Sequence, residues 1–232
     1  MPDSLPRLLQ TLDNAARIAG RPSPRLLAVS KFQDATAVAE LASAWRRERP
    51  GETPAFGENY VQEAQAKQAA LDDPGIEWHL VGHLQSNKAA LAAELFDWVQ
   101  TVDRPKLVAA LAEARDPSRA PLNVLLQVNI DAEDDKHGCA PGDVPALAER
   151  VAAQPMLALR GLMAIPAPFP ELERRRDSFR RMRALFDALH ARHPFADTLS
   201  MGMSADAELA IAEGATMVRI GTALFGPRKH AP

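Results

Sequence analysis

Eight short apolar runs alternate with amphipathic helical patterns along the whole chain, and that order constrains the fold more than any other feature. The runs are "LLAVSK" (26–31), "PAFGEN" (54–59), "EWHLVGH" (77–83), "WVQTVD" (98–103), "NVLLQVNI" (123–130), "LRGLMAI" (159–165), "TLSMGM" (198–203) and "MVRIGTALFG" (217–226). Between them, "TAVAELASAWRRE" sets Val38, Leu41, Ala42 and Trp45 at helical spacing. "RPKLVAALAEAR" opens with a proline in its first turn, and "RDSFRRMRALFDALHARH" repeats Phe179, Met182, Leu185, Phe186 and Leu189. Strands alternating with helices pair in parallel through right-handed crossovers.

A closed (β/α)8 TIM barrel is the simplest arrangement, and a chain of 232 residues fits a compact one. The α/β alternative is an open, doubly wound sheet. It would need a phosphate loop after an early strand, and no GxGxxG or GxxxxGK[ST] stands there. The segment "LPRLLQTLDNAARIAG" adds a helix before the first strand. The expected organisation is therefore one domain over residues 1–232, with a helix and lead-in at 1–25 and the barrel at 26–228.

Composition narrows the function. A net charge of −3 makes no electrostatic case for nucleic acid. No apolar run approaches the ~20 residues that span a bilayer, and the opening "MPDSLPRLLQTLDNAARIAG" does not read as a signal peptide. The single Cys139 has no internal disulfide partner, so a reducing, cytoplasmic setting is expected.

Several strands carry a polar residue at or near their C-terminal end: Lys31, Asn59, His79 and His83, Gln127 and Asn129, and Arg219. In a barrel those ends converge on one mouth, where catalytic and binding groups gather. Each also has a plainer reading. Lys31 can lie along the rim with its amine in water. Asn59 and Asn129 can cap loops. His79 and His83 form HxxxH, but that pairing needs a helix and the segment reads as a strand. With no third ligand nearby, no metal site is expected. The run "ELERRRDSFRRMR" reads as a solvated helix face.

Two late segments differ in kind. "SMGMSAD" (200–206) ends the seventh strand with serines around a glycine, and Asp206 can cap the helix that follows. "RIGTALFG" (219–226) puts Gly221 and Thr222 at the next strand end. Glycine lets a backbone approach an anion, and the loops after strands seven and eight are where such barrels bind phosphate. An ordinary strand–turn–helix connection is the other reading. On closing the barrel, Lys31 and these loops become neighbours. An amine at one end and a phosphate cradle at the other suit pyridoxal 5′-phosphate (PLP), provided the lysine's pKa near ~10.4 is offset by desolvation or nearby positive charge such as Arg219.

The motifs "AVSK", "FGENYVQE", "WHLVGHLQSNK", "GLMAIP", "SMGMSAD" and "VRIGTALFG", in that order over residues 26–228, resemble those of the pyridoxal phosphate homeostasis proteins. The resemblance implies a barrel like the N-terminal domain of alanine racemase, with Lys31 as the Schiff-base lysine. It places Asn59 near the cofactor ring and Met163 in the pocket. Ser200, the backbone at Met201 and Gly202, and Gly221 with Thr222 would hold the phosphate. Arg219 would face the pyridine nitrogen, and His79 and His83 match the family's third-strand histidines. The chain departs from the pattern at "KFQD", after the lysine, and around Lys136 and Gly138 in "DDKHGC".

An arginine at the pyridine nitrogen can only donate, so it keeps that nitrogen unprotonated and weakens PLP as an electron sink. A racemase tolerates this but needs an acid–base group on each face of the cofactor. The only tyrosine, Tyr60, follows Asn59, and strand alternation would turn it away. The expected protein is a cytoplasmic, monomeric PLP carrier without catalytic residues, with apo PLP enzymes as recipients. An amino-acid racemase and a sugar-phosphate barrel enzyme without PLP are the alternatives.

Overall fold

The computed structural model describes residues 4–226; residues 227 and 228, the end of the expected barrel, lie outside them. Eight parallel strands close into a barrel in chain order: β1 (Arg25–Val29), β2 (Ala55–Glu58), β3 (Glu77–Leu80), β4 (Trp98–Val102), β5 (Leu122–Gln127), β6 (Leu157–Met163), β7 (Thr198–Ser200) and β8 (Met217–Ile220). Closure is direct: Leu27 of β1 stands in register with Arg219 of β8. The helices are α1 (Ser4–Ile18), α2 (Ala35–Glu48), α3 (Val61–Leu71), α4 (Ala89–Leu95), α5 (Pro105–Ala114), α6 (Val144–Ala152), α7 (Leu172–Arg192), α8 (Ala207–Ala212) and α9 (Thr222–Phe225). Among the described residues no helix is long and apolar enough to cross a membrane.

The strands are apolar on both faces because both are buried. Along β5, Leu122, Val124 and Leu126 face the helices, while Leu125 joins Trp98 and Met163 inside the barrel. Leu27, Ala55 and Met217 form a second interior cluster with Val81. The amphipathic α1 buries Leu5, Leu12 and Ala16 and packs against α2, α8 and α9.

The strands are shorter than their apolar runs. β1 stops at Val29, β3 at Leu80, β7 at Ser200 and β8 at Ile220, two to six residues before the runs end. Hydropathy does not register the change, because residues such as Ser30, Gly82, Leu84, Met201, Gly202, Leu224 and Phe225 stay buried beyond the strand ends, while His83, Met203 and Thr222 among them are exposed. The tail of "MVRIGTALFG" is not strand at all but the short helix α9.

Candidate functional site

Lys31 is carried on a tight turn and not on β1 itself. Ser30 extends the pairing by one bond, from its N–H to Gly57 O, and then Gln33 N–H closes a turn onto Ser30 O at 3.0 Å. Phe32, after Lys31, takes a left-handed φ of 64°, a conformation that costs a non-glycine residue about 1–2 kcal/mol. Side chains from β2 and α3 hold that turn on both sides of Lys31. Lys67 Nζ donates to Ser30 O, Glu58 Oε1 and Glu63 Oε1, each at 2.7 Å. Ser30 Oγ donates to Glu58 Oε1, and Phe32 N–H donates to Glu63 Oε1 at 2.6 Å. Burial pushes the Glu58 carboxyl above its usual range, against the pull of Lys67 and Ser30. Sequence reasoning missed this clamp. Its signal was Lys67, a lysine in helical phase with the buried Val61 and Ala64.

Arg219 is buried on the inner wall. Its guanidinium donates to Ser200 O, Ser200 Oγ and Ala164 O at 2.8–2.9 Å. Burial lowers its pKa to about 10, which still leaves it charged at neutral pH. Ser200 Oγ passes a hydrogen bond to Gln100 Oε1 at 2.8 Å, and Gln100 Nε2 reaches His79 Nδ1 at 2.9 Å. His79 Nε2 then meets Glu77 Oε1 at 2.7 Å, and Glu77 pairs with Arg25 at 2.6 Å. With His79 protonated on Nε2, every donor points the same way, from Arg219 down to Glu77. Ser200 Oγ and His79 are thus committed inside the barrel and do not stand at the mouth. Met201 likewise spends its N–H on Met217 O.

That chain ends on a polar floor. Trp98 stacks on His79 at 5.1 Å, with Arg25 and Arg160 over its ring and Arg160 paired to Asp197. Burial holds His79 below its usual pKa. Glu77 resists the upward push of burial and is drawn down to about 2 by His79 and Arg25.

At the opposite end β7 and β8 open into the loops expected to meet an anion. Gly202 adopts a φ of 92°, and a Cβ there would come within 2.5 Å of Ala210 Cβ, so only glycine fits. Its carbonyl takes the Arg219 N–H. Gly221 O accepts from Leu224 and Phe225, so the N–H groups of Thr222 and Ala223, in the first turn of α9, have no intrahelical acceptor. Asp206 does not cap α8 through its side chain: its backbone, at φ −140°, turns the carboxylate back to accept from Met203 N at 2.6 Å. The structure therefore brings Lys31, Arg219, Gly202, Gly221 and Thr222 to one side of the mouth.

Asn59 follows β2 and lines a cavity of about 390 Å³ with Tyr60, Gly82, His83 and Lys88. A Cβ on Gly82 would fall 2.1 Å from Asn59 O, so the absence of a side chain there fixes how closely the two loops approach. Met163 is fully buried at the end of β6, in register with Gln127 and Ser200. Gln127 Oε1 is buried with no partner among the described residues, an open acceptor on the inner wall. Asn129 braces its own loop, through Glu133 and the Lys136 carbonyl.

His83 does not meet His79. Across the mouth it stacks on His137 with ring centroids 3.6 Å apart, and Asp103 completes a group whose ligand atoms lie within 4.8 Å of one another.

Comparison with known proteins gives a consistent answer. The pattern of the alanine racemase N-terminal domain matches residues 4–229. A pyridoxal phosphate homeostasis protein of Pseudomonas aeruginosa is 49% identical over 98% of this chain and 96% of its own length. PipY of Synechococcus elongatus, solved without PLP, superposes with a TM-score of 0.84 at 37% identity over 97% of this chain and all of its own. A second structure of PipY, with PLP bound, gives 0.76 at 39% identity over 91% of this chain and 99% of its own. Alanine racemase of Corynebacterium glutamicum, at 20% identity, shares the fold with a TM-score of 0.64 over 96% of this chain and 62% of its own.

Proposed function

The chain belongs to the pyridoxal phosphate homeostasis protein family, and from that membership we propose that it holds PLP as a Schiff base on Lys31 and acts in PLP storage, buffering or delivery without robust catalysis. The observation that carries this reading is that two neighbouring strands, β1 and β8, bring unlike donors to one mouth. Lys31 sits on a braced turn beyond β1. The neighbouring β8 supplies the buried Arg219 and, beyond it, the N–H groups opening α9. An amine, a guanidinium and a cluster of backbone donors suit, respectively, an aldehyde, a pyridine nitrogen and a phosphate.

When bound, PLP supplies an electrophilic carbon that takes up amines and an aromatic ring that accepts electrons. Lys31 is the amine that holds it. Arg219, fixed by three carbonyl and hydroxyl acceptors, would donate toward the ring nitrogen while keeping its own proton. Gly202, Gly221 and Thr222 bind the phosphate end. Asn59 would sit near the ring, and Met163 would pack in the pocket. Met201 contributes to the phosphate loop by shape, since its N–H is engaged in the barrel. Ser200 and His79 act through Arg219, which they orient from below.

The case against robust catalysis rests on the same residues. A donor held at the ring nitrogen weakens PLP as an electron sink, which a racemase tolerates only with an acid–base group on each face. Tyr60, the only tyrosine, is 54% exposed and packs on Phe32 at 6.1 Å between ring centroids, turned to the surface and not held inside the barrel. The reading extends to a cytoplasmic monomer, folded as one domain over 1–232, that passes PLP to apo-enzymes.

Borohydride reduction of PLP-loaded protein tests it. The expected result is a single pyridoxyl label on Lys31, lost in Lys31→Ala, with no sustained α-hydrogen exchange on amino acids in heavy water. A label elsewhere, or none, overturns the binding site; turnover above free PLP overturns the carrier role in favour of a racemase.

A further inference from the structure

We propose that His83, Asp103 and His137 form a binding site for a divalent transition metal ion such as zinc, at the barrel mouth across from Lys31. The three residues come from three separate strand ends: beyond β3, directly after β4, and in the loop after β5. Their ligand atoms nonetheless fall within 4.8 Å of one another. Two imidazoles and one carboxylate are a donor set that borderline divalent ions prefer over calcium or magnesium. Bonds of ~2.0–2.1 Å in a tetrahedron set ligand atoms ~3.4 Å apart, so closing on an ion takes side-chain rotation.

The backbone on which each ligand stands is held in place, and Asp103 also has a side-chain partner. Thr101 Oγ1 donates to Gly82 O at 2.9 Å, fixing the residue before His83. Arg104 grips Asp103 Oδ1 at 2.6 Å and Leu84 O at 2.9 Å, tying the carboxylate to the far side of His83. Asp103 keeps its second oxygen for an ion, and its side chain is 9% exposed. His137 is pinned through its carbonyl, which accepts from Gln127 Nε2 at 3.1 Å, while Val128 and Cys139 bridge the base of its loop. The two rings lie nearly parallel, 13° apart with centroids 3.6 Å apart. That contact brings the two imidazoles to one spot at the mouth, beside Asp103. Three protein ligands leave a fourth position for water or an anionic group entering the mouth.

This site does not depend on PLP, and the test reads the two apart. Metal-free protein is titrated with Zn2+ against a chromophoric chelator, and with Co2+ by visible absorption, before and after borohydride-fixed PLP loading. One equivalent is expected in both forms. Affinity should fall at least tenfold in each of His83→Ala, Asp103→Asn and His137→Ala, and the cobalt band should vanish in the double histidine variant. His193→Ala, on the outer surface, should bind as the parent does. Equal affinity in the parent and the double histidine variant overturns the proposal. So does more than one weak equivalent that responds to His193→Ala as it does to His137→Ala.

Discussion

The Lys67 ammonium donates to the carbonyl of Ser30 at 2.7 Å, and so fixes the peptide from which Lys31 springs. A buried lysine on α3 thereby positions an amine that belongs to the barrel mouth. Its other partners, Glu58 and Glu63, brace the turn before and after Lys31.

Removing one member of a buried ion pair leaves the other uncompensated, at a cost of about 3–5 kcal/mol. Lys67→Met should destabilise the protein by that order in urea unfolding. It should also blunt formation of the Lys31 adduct at fixed PLP concentration. The double variant Lys67→Met/Glu58→Gln should recover part of the stability but not the adduct, because the turn still lacks its tie.

Gln100 serves Ser200 above it and His79 below it, both fully buried. Gln100→Leu leaves a hydroxyl and a ring nitrogen without partners, at about 1–3 kcal/mol each. The expected outcome is a loss of stability together with a shifted absorption maximum of bound PLP, since Arg219 loses the support of an oriented Ser200. An unchanged spectrum would confine Gln100 to a structural role.

Acid should weaken the fold in two stages. His79 is held below its usual pKa, so the unfolded chain takes up a proton first, and stability falls as the pH drops below about 6.5. Glu77, drawn from 4.5 to about 2, adds stability that is present above pH 4.5 and is lost between there and pH 2. Glu77→Gln should remove the second stage from a plot of unfolding free energy against pH and leave the fall near pH 6 in some form.

Cys139 is buried, and its thiol is pushed up to about 12 by that burial and by the nearby Asp143 and Asp103. A thiol needs its thiolate to react. Native protein at pH 8 should therefore resist an aromatic disulfide reagent, with one equivalent released on unfolding in guanidinium. Fast labelling of the native state would show that the loop carrying His137 opens.

The barrel was legible in the sequence because a closed parallel sheet imprints its period on every strand and every helix. The positions of Lys31, Arg219 and Gly221 at or just beyond the ends of β1 and β8 were legible as well, although their residue types alone left a rim lysine and an ordinary strand–turn–helix connection open. The relay through Ser200, Gln100 and His79 was not, because its members come from β3, β4 and β7 and meet only when the barrel closes. Ser200 read as a phosphate ligand because "SMGMSAD" looks like an anion loop, yet its hydroxyl turns inward to Arg219 and Gln100. The grouping of His83 with Asp103 and His137 lay beyond any local motif for the same reason.

The floor of the barrel is packed with Trp98 between His79 and two arginines and laced by the pairs Arg25–Glu77 and Arg160–Asp197. On the proposed function the molecule works as a cup filled and emptied at one rim, and an enzyme that collected PLP from it directly would have to approach the side that carries Lys31 and the loops of β7 and β8.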